Sequence, residues 1–188
     1  MEPFLKQTLN YCQQFPYPRK DYILRMIWRL IWFSVWRICW HRVNFLRPLI
    51  LKCFGAKVPL NSMFFGSTWI EFPWNLTCGE YSAIGPRVHI YNLGRVSIGD
   101  NTVISQDAYL CAGTHNYNDP KMPLIKEPII IGGSVWICAG SFIGPGVTIS
   151  EGAIVGARGV AMNDVPPWTI VAGNPARPIK KRKITFSE

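Results

Sequence analysis

Three histidines (His41, His89, His115) and six cysteines (Cys12, Cys39, Cys53, Cys78, Cys111, Cys138) are the residues of this 188-residue chain best suited to bind a metal or attack a bond. Their spacing excludes much of that chemistry. With no C-x-x-C pair and dispersed histidines, neither a structural zinc site nor a disulfide framework is expected, and no metal cofactor. Reduced thiols fit a cytoplasmic setting. Cys111, four residues before His115, raises an acyl-cysteine route. It follows an apolar strand position and has no cationic neighbour in sequence to lower its pKa, so it reads as wall structure. His115 itself lies in the turn-rich stretch THNYNDPKMPLIKEP (114–128). An imidazole titrating near neutrality can take a proton from a hydroxyl group. A loop histidine alone is more often a surface residue, so its meaning depends on what positions it.

What positions it is a repeat. Apolar residues recur every six positions at Ile131, Ile137, Ile143, Ile149, Val155 and Ala161, and small or branched residues stand four places after each (Val135, Ser141, Val147, Ala153, Gly159). Upstream the same pattern has a twenty-residue period: Val58, Cys78, Ile98; Phe64, Ile84, Ile104; Ile70, Ile90, Leu110. Three six-residue units per period describe a triangular coil with a column of inward side chains and corners that favour small residues or glycine. A β-sandwich would instead show period-two strands. The expected architecture is an all-β solenoid, a parallel β-helix of about five coils over residues 58–165. An N-terminal segment (1–57) precedes it and a short C-terminal extension (166–188) follows. The ladder breaks once, between Leu110 and Ile131, where residues 114–128 leave the wall. Extruded loops on rigid scaffolds commonly carry function.

Residues 21–46 contain no Pro or Gly and predict an α-helix with one aromatic stripe, Trp28, Trp32, Trp36 and Trp40. Arginines limit its longest uncharged run to Leu30–Trp36, far short of the roughly 20 residues that span a bilayer. Two compatible readings follow: the helix covers an open solenoid end or a neighbouring subunit, or it lies on a membrane with Trp among headgroups. Charge is concentrated likewise. The net +9 places +8 in residues 1–57 and a basic run at Arg177–Lys183 around a near-neutral body. A nucleic-acid binder would show a broader basic coat, so a membrane surface or a phosphorylated small ligand fits better than nucleic acid.

The repeat, the loop sequence CAGTHNYNDP (111–120) and the ending VPPWTIVAGNPAR (165–177) together resemble the hexapeptide-repeat acetyltransferases. More narrowly, the chain resembles the colanic-acid-biosynthesis type of O-acetyltransferase, akin to maltose and nodulation-factor acetyltransferases. The resemblance implies a left-handed parallel β-helix, although ordinary crossovers are right-handed. It also implies a homotrimer with acetyl-CoA between neighbouring solenoids and a loop histidine as general base, matched by His115. The acceptor hydroxyl would attack the thioester directly, a backbone N–H holding the oxyanion.

Further matches are softer. Asn92, in IYNLG, matches an asparagine near the acceptor or is a corner asparagine. Asp119 orients His115, contacts the sugar, or simply forms an N-D-P turn. Trp136 lines the site or the wall; Tyr117 stacks on a sugar or packs the loop. Ala139 and Ala157 match wall positions meeting the pantetheine arm. Arg177 and Lys180 match basic positions near the CoA phosphates, or belong to a solvated tail that includes Lys181–Lys183. The activity implied is acetyl transfer to a sugar hydroxyl in an exopolysaccharide or other surface glycan. A lipid-linked acceptor at the inner membrane face would account for the N-terminal helix, in a cytoplasmic and peripheral protein. Alternatives are a soluble acceptor such as a free sugar or antibiotic, and a non-enzymatic scaffold. A zinc carbonic anhydrase on this fold would need three interfacial histidines.

Overall fold

A computed structural model describes residues 17–38 and 45–185. Short parallel strands stack into three faces. Face one carries Leu76–Cys78, Val96–Ile98, Ile129–Ile131 and Thr148–Ile149. Face two carries Met63–Phe64, Ala83–Ile84, Val103–Ile104, Trp136–Ile137, Ile154–Val155 and Thr169–Ala172, with Arg177–Lys181 added antiparallel at its end. Face three carries Trp69–Ile70, His89–Tyr91, Tyr109–Cys111, Phe142–Ile143 and Val160–Ala161. The chain visits the faces in that order in each of about five coils.

The ladder read from sequence is the core. Ile84, Ile104, Ile137 and Val155 are fully buried on face two, and Ile70, Ile90, Leu110 and Ile143 on face three. Each such side chain contributes about 1.5–3 kcal/mol through burial. Strand register steps by 20 from Ala83 to Val103, by 33 to Trp136, by 18 to Ile154 and by 16 to Ile170. The long step contains the extruded segment; the final coil is shorter than the periodicity predicts.

The corners depart from the expected rule. Residues four after the ladder position (Thr102, Val135, Ser141, Ala153) are small because they are buried, not because the backbone turns there. The left-handed backbone conformation falls one residue earlier, at Asn101, Ser134, Gly140, Gly152 and Arg158. That side chain points outward, so Tyr81, Arg87 and Trp168 also occupy it. Chain geometry demands the positive φ, and glycine only lowers its cost.

The predicted helix is present over its described part and contains a π-helical turn. An α-helix runs Arg19–Ile31, a π-helical turn follows at Trp32–Trp36, and a second α-helix spans Leu46–Cys53. Trp40, His41, Cys12 and Cys39 lie outside the described residues. In a regular α-helix, i, i+4 positions drift by roughly 40° per step; the widened turn offsets that drift and keeps Trp36 facing inward. Trp28, Trp32 and Trp36 are all buried against the first coil, so they do not face outward. The first coil has no preceding coil to bond its carbonyl groups, the usual exposed-edge problem. The Trp28 indole N–H donates to the Ile70 carbonyl (2.6 Å) and that of Trp32 to the Thr68 carbonyl (2.7 Å). Buried Arg47 donates to the Phe64 carbonyl on face two (3.2 Å). The helical segment is thus a cap on the open end.

Candidate active site

The extruded segment is a β-hairpin rather than an irregular loop. Thr114–His115 pairs antiparallel with Leu124–Ile125, His115 standing opposite Leu124. Local backbone bonds close its tip: Asp119 N–H to Asn116 O, Met122 N–H to Asp119 O, and Asn116 N–H to Pro123 O. Met122 takes a positive φ of 45°, and its carbonyl points toward His115. The distance from that oxygen to His115 Nδ1 is 2.7 Å. A carbonyl oxygen can only accept, so Nδ1 carries the proton. The lone pair of the neutral ring is then on Nε2, and the side chain is exposed. The exposed imidazole is therefore held in one tautomer by its own hairpin, as a general base requires.

Asp119 has a different task from orienting His115. Its carboxylate accepts the Lys121 N–H (2.8 Å) and shapes the N-D-P turn, while the Met122 carbonyl orients the ring. Tyr117 is 83% exposed at the hairpin tip and packs little of the loop.

Asn92 requires a correction. It is fully buried, its Oδ1 accepts the Phe72 N–H (2.9 Å) and its Nδ2 donates to the Phe72 carbonyl (2.6 Å). Both ends of the amide are committed to the adjacent coil, so Asn92 is a corner residue and not an acceptor ligand. It lies one coil before the hairpin base, where Ala112 N–H bonds to Tyr91 O.

Cys111 lies in the wall. Burial raises its thiol pKa, with a smaller opposing contribution from the Gly113 backbone, and its Sγ–H donates to the Gly113 carbonyl (3.3 Å). A thiol held protonated is a poor nucleophile. His89 sits among Trp69, Tyr91 and Tyr109, and burial lowers its pKa while the Glu71 charge opposes that shift.

The remaining candidates gather elsewhere. Trp136 is a half-exposed wall residue of face two, its indole N–H donating to Ser105 Oγ (2.9 Å). Ala139 and Ala157 stack at the corner between faces two and three, where the Arg158 N–H bonds to the Ala139 carbonyl (2.9 Å). Arg177 and Lys180 are exposed on the strand that edges face two. Arg158, which the sequence reading did not single out, joins them: it is exposed and its Cγ lies over Gly140. Its signal was present, since it stands beside Ala157 at the outward corner position. The basic ending is not simply a solvated tail. Lys181 Nζ donates to Thr169 Oγ1 (3.0 Å), and Arg182 donates to the Ser134 (2.6 Å) and Gly152 (3.0 Å) carbonyls.

Two sets therefore sit at different corners of one solenoid. His115, Tyr117 and Asp119 project between faces three and one, whereas Trp136, Ala139, Ala157, Arg158, Arg177 and Lys180 belong to face two and its corner with face three. A path of small side chains flanked by cations suits a slender chain ending in phosphates, such as the pantetheine and nucleotide of CoA.

A stacked hexapeptide solenoid, with one histidine-bearing hairpin and a small-residue corner ringed by cations, defines the β-helical acyltransferase class. The chain belongs to the hexapeptide-repeat O-acetyltransferases. It is 40% identical over 136 residues, 72% of this chain and 75% of the other, to the protein of Escherichia coli K12 named as the colanic acid biosynthesis acetyltransferase WcaF. It is 30% identical over 140 residues, 68% of each chain, to the E. coli K12 protein named as the lipopolysaccharide biosynthesis O-acetyl transferase WbbJ. Among solved structures, a hexapeptide-repeat acetyltransferase of Vibrio cholerae in complex with acetyl coenzyme A superposes with a TM-score of 0.79 at 25% identity, covering 88% of this chain and 91% of that one. The solenoid shares the left hand of that fold. No protein-family model matches the chain.

Proposed function

We propose that this protein transfers the acetyl group of acetyl-CoA to a sugar hydroxyl of an exopolysaccharide or other surface glycan. The observation that carries the reading is the Met122 carbonyl at His115 Nδ1, which leaves Nε2 as the free base of an exposed histidine on the hairpin. Nε2 takes the proton of the acceptor hydroxyl as its oxygen attacks the thioester carbonyl, and returns that proton to the departing thiolate. A wall-corner N–H supports the oxyanion. Bound acetyl-CoA supplies the activated acyl group. Ala139 and Ala157 give its pantetheine arm a close backbone approach; Arg158, Arg177 and Lys180 meet its phosphates. Tyr117 and Asp119 at the hairpin tip face the acceptor, and Trp136 walls the cleft.

Since the two sets occupy different corners, the complete site needs the hairpin of one copy against face two of another. Three such contacts close a homotrimer with three sites. A lipid-linked acceptor at the inner face of the cell membrane suits the glycan roles named for the two relatives. The test is thiol release from acetyl-CoA with a panel of sugar and lipid-linked sugar acceptors, run with sedimentation equilibrium. Acceptor-dependent release by a trimer supports the reading; absence of acetyl-CoA binding, or turnover by a monomer, overturns it.

A further inference from the structure

We infer that the outer face of the N-terminal cap is a docking surface for an anionic lipid bilayer, and that this face is not the tryptophan stripe. The stripe is used up on the solenoid: Trp28 and Trp36 are fully buried, and the indole N–H groups of Trp28 and Trp32 bond to first-coil carbonyls. The opposite side of the same helix carries Ile23, Met26, Leu30 and Phe33, each between 57% and 65% exposed, and Ile38 at 80%. Steps of three and four residues from Ile23 to Phe33, and of five across the π-helical turn to Ile38, make one continuous apolar stripe. A run of large exposed hydrophobic groups on an otherwise well-packed chain marks an interaction site.

Charge selects the partner. Residues 3–57 contain one acidic side chain, Asp21, against ten Lys and Arg. Arg29 stays half-exposed beside the stripe. Tyr22, Arg25, Met26, Arg29, Leu30 and Phe33 line an open groove of about 320 Å³; its Arg25 and Arg29 guanidinium groups pair with the single carboxylate of Glu71, which leaves a net positive charge beside the apolar walls. A second copy would bring the same positive field against itself, which opposes pairing through this face. An anionic leaflet supplies the opposite charge and accepts the apolar stripe to about 5–10 Å depth, the arrangement of an interfacial helix. No described helix is long and apolar enough to cross the membrane, so contact is with one leaflet. The cap helix would then hold the solenoid on that leaflet by its first coil.

Flotation of the full chain with vesicles of phosphatidylglycerol and phosphatidylcholine, against phosphatidylcholine alone, tests this independently of any activity. Wild type is expected to float with the anionic vesicles, to float at least roughly tenfold less with neutral ones, and to be released by high salt. The double variant Leu30→Asp/Phe33→Asp, and the milder Leu30→Ser/Phe33→Ser, should lose flotation while keeping the wild-type melting transition, since both side chains are exposed. Wild type remaining unbound, or either folded variant floating like wild type, overturns the inference. A loss of oligomeric mass in either variant without vesicles assigns the face to self-association and overturns it too.

Discussion

His115 Nδ1 and the carbonyl oxygen of Met122, seven residues later in the same hairpin, lie 2.7 Å apart. The pair fixes a tautomer with backbone alone. Met122 itself takes a positive φ of 45°.

Replacing His115 with Ala should lower kcat by about 10²–10⁴-fold. Affinity for acetyl-CoA, measured by calorimetry, should change little, because the groups proposed to hold its pantetheine arm and phosphates stand on face two and its corner, not on the hairpin. Unchanged turnover would remove His115 from the chemistry.

Cys111→Ser should leave kcat within about twofold of wild type, since the raised pKa of this wall thiol speaks against an acyl-cysteine. Mass spectrometry of enzyme quenched during turnover should find no acetyl adduct on Cys111. An adduct there would establish the two-step route instead.

Asn92→Ala should cost about 1–3 kcal/mol in urea unfolding, because the buried Phe72 N–H and carbonyl both lose a partner. KM for the acceptor should be unaltered. A raised KM at wild-type stability would return Asn92 to the acceptor site.

Trp28→Phe should destabilise by about 1–3 kcal/mol, as the Ile70 carbonyl at the open edge loses its donor. Near-ultraviolet circular dichroism should change with it, since Trp28 packs edge-on to Trp36 and Phe54.

Acid should destabilise the protein in two steps. Burial lowers the His89 pKa below its ordinary 6.5, so the unfolded chain binds that proton first and stability falls as pH drops below 6.5 toward the folded value. Burial alone would raise Glu71, but hydrogen bonds from Trp69 and Arg25, with the charges of Arg25 and Arg29, outweigh it and lower the pKa. Its contribution is present above the ordinary 4.5 and is lost as pH falls through the depressed folded value. Melting temperature against pH should show both declines; Glu71→Gln should flatten the lower one and deepen the upper, because the Glu71 charge partly offsets the His89 shift.

The solenoid was legible from sequence because its core is one-dimensional: each inward residue stacks on its equivalent one coil away, so position in the repeat predicts burial. Ile84, Ile104, Ile137 and Val155 follow that rule without exception. The hairpin was legible as an interruption, and His115 as its one titratable imidazole. Corner geometry was misread because small size and positive φ belong to neighbouring residues, and sequence shows only the first.

By itself, then, the sequence determined the repeat, its break and the residue types the break carries, since periodicity is a local property. Tertiary structure alone decided the partners: Met122 rather than Asp119 for His115, the backbone of Phe72 for both ends of Asn92, and first-coil carbonyls for Trp28 and Trp32. Each pairing joins atoms from different turns, coils or segments, and hydrogen-bond direction depends on where the backbone aims its groups in space.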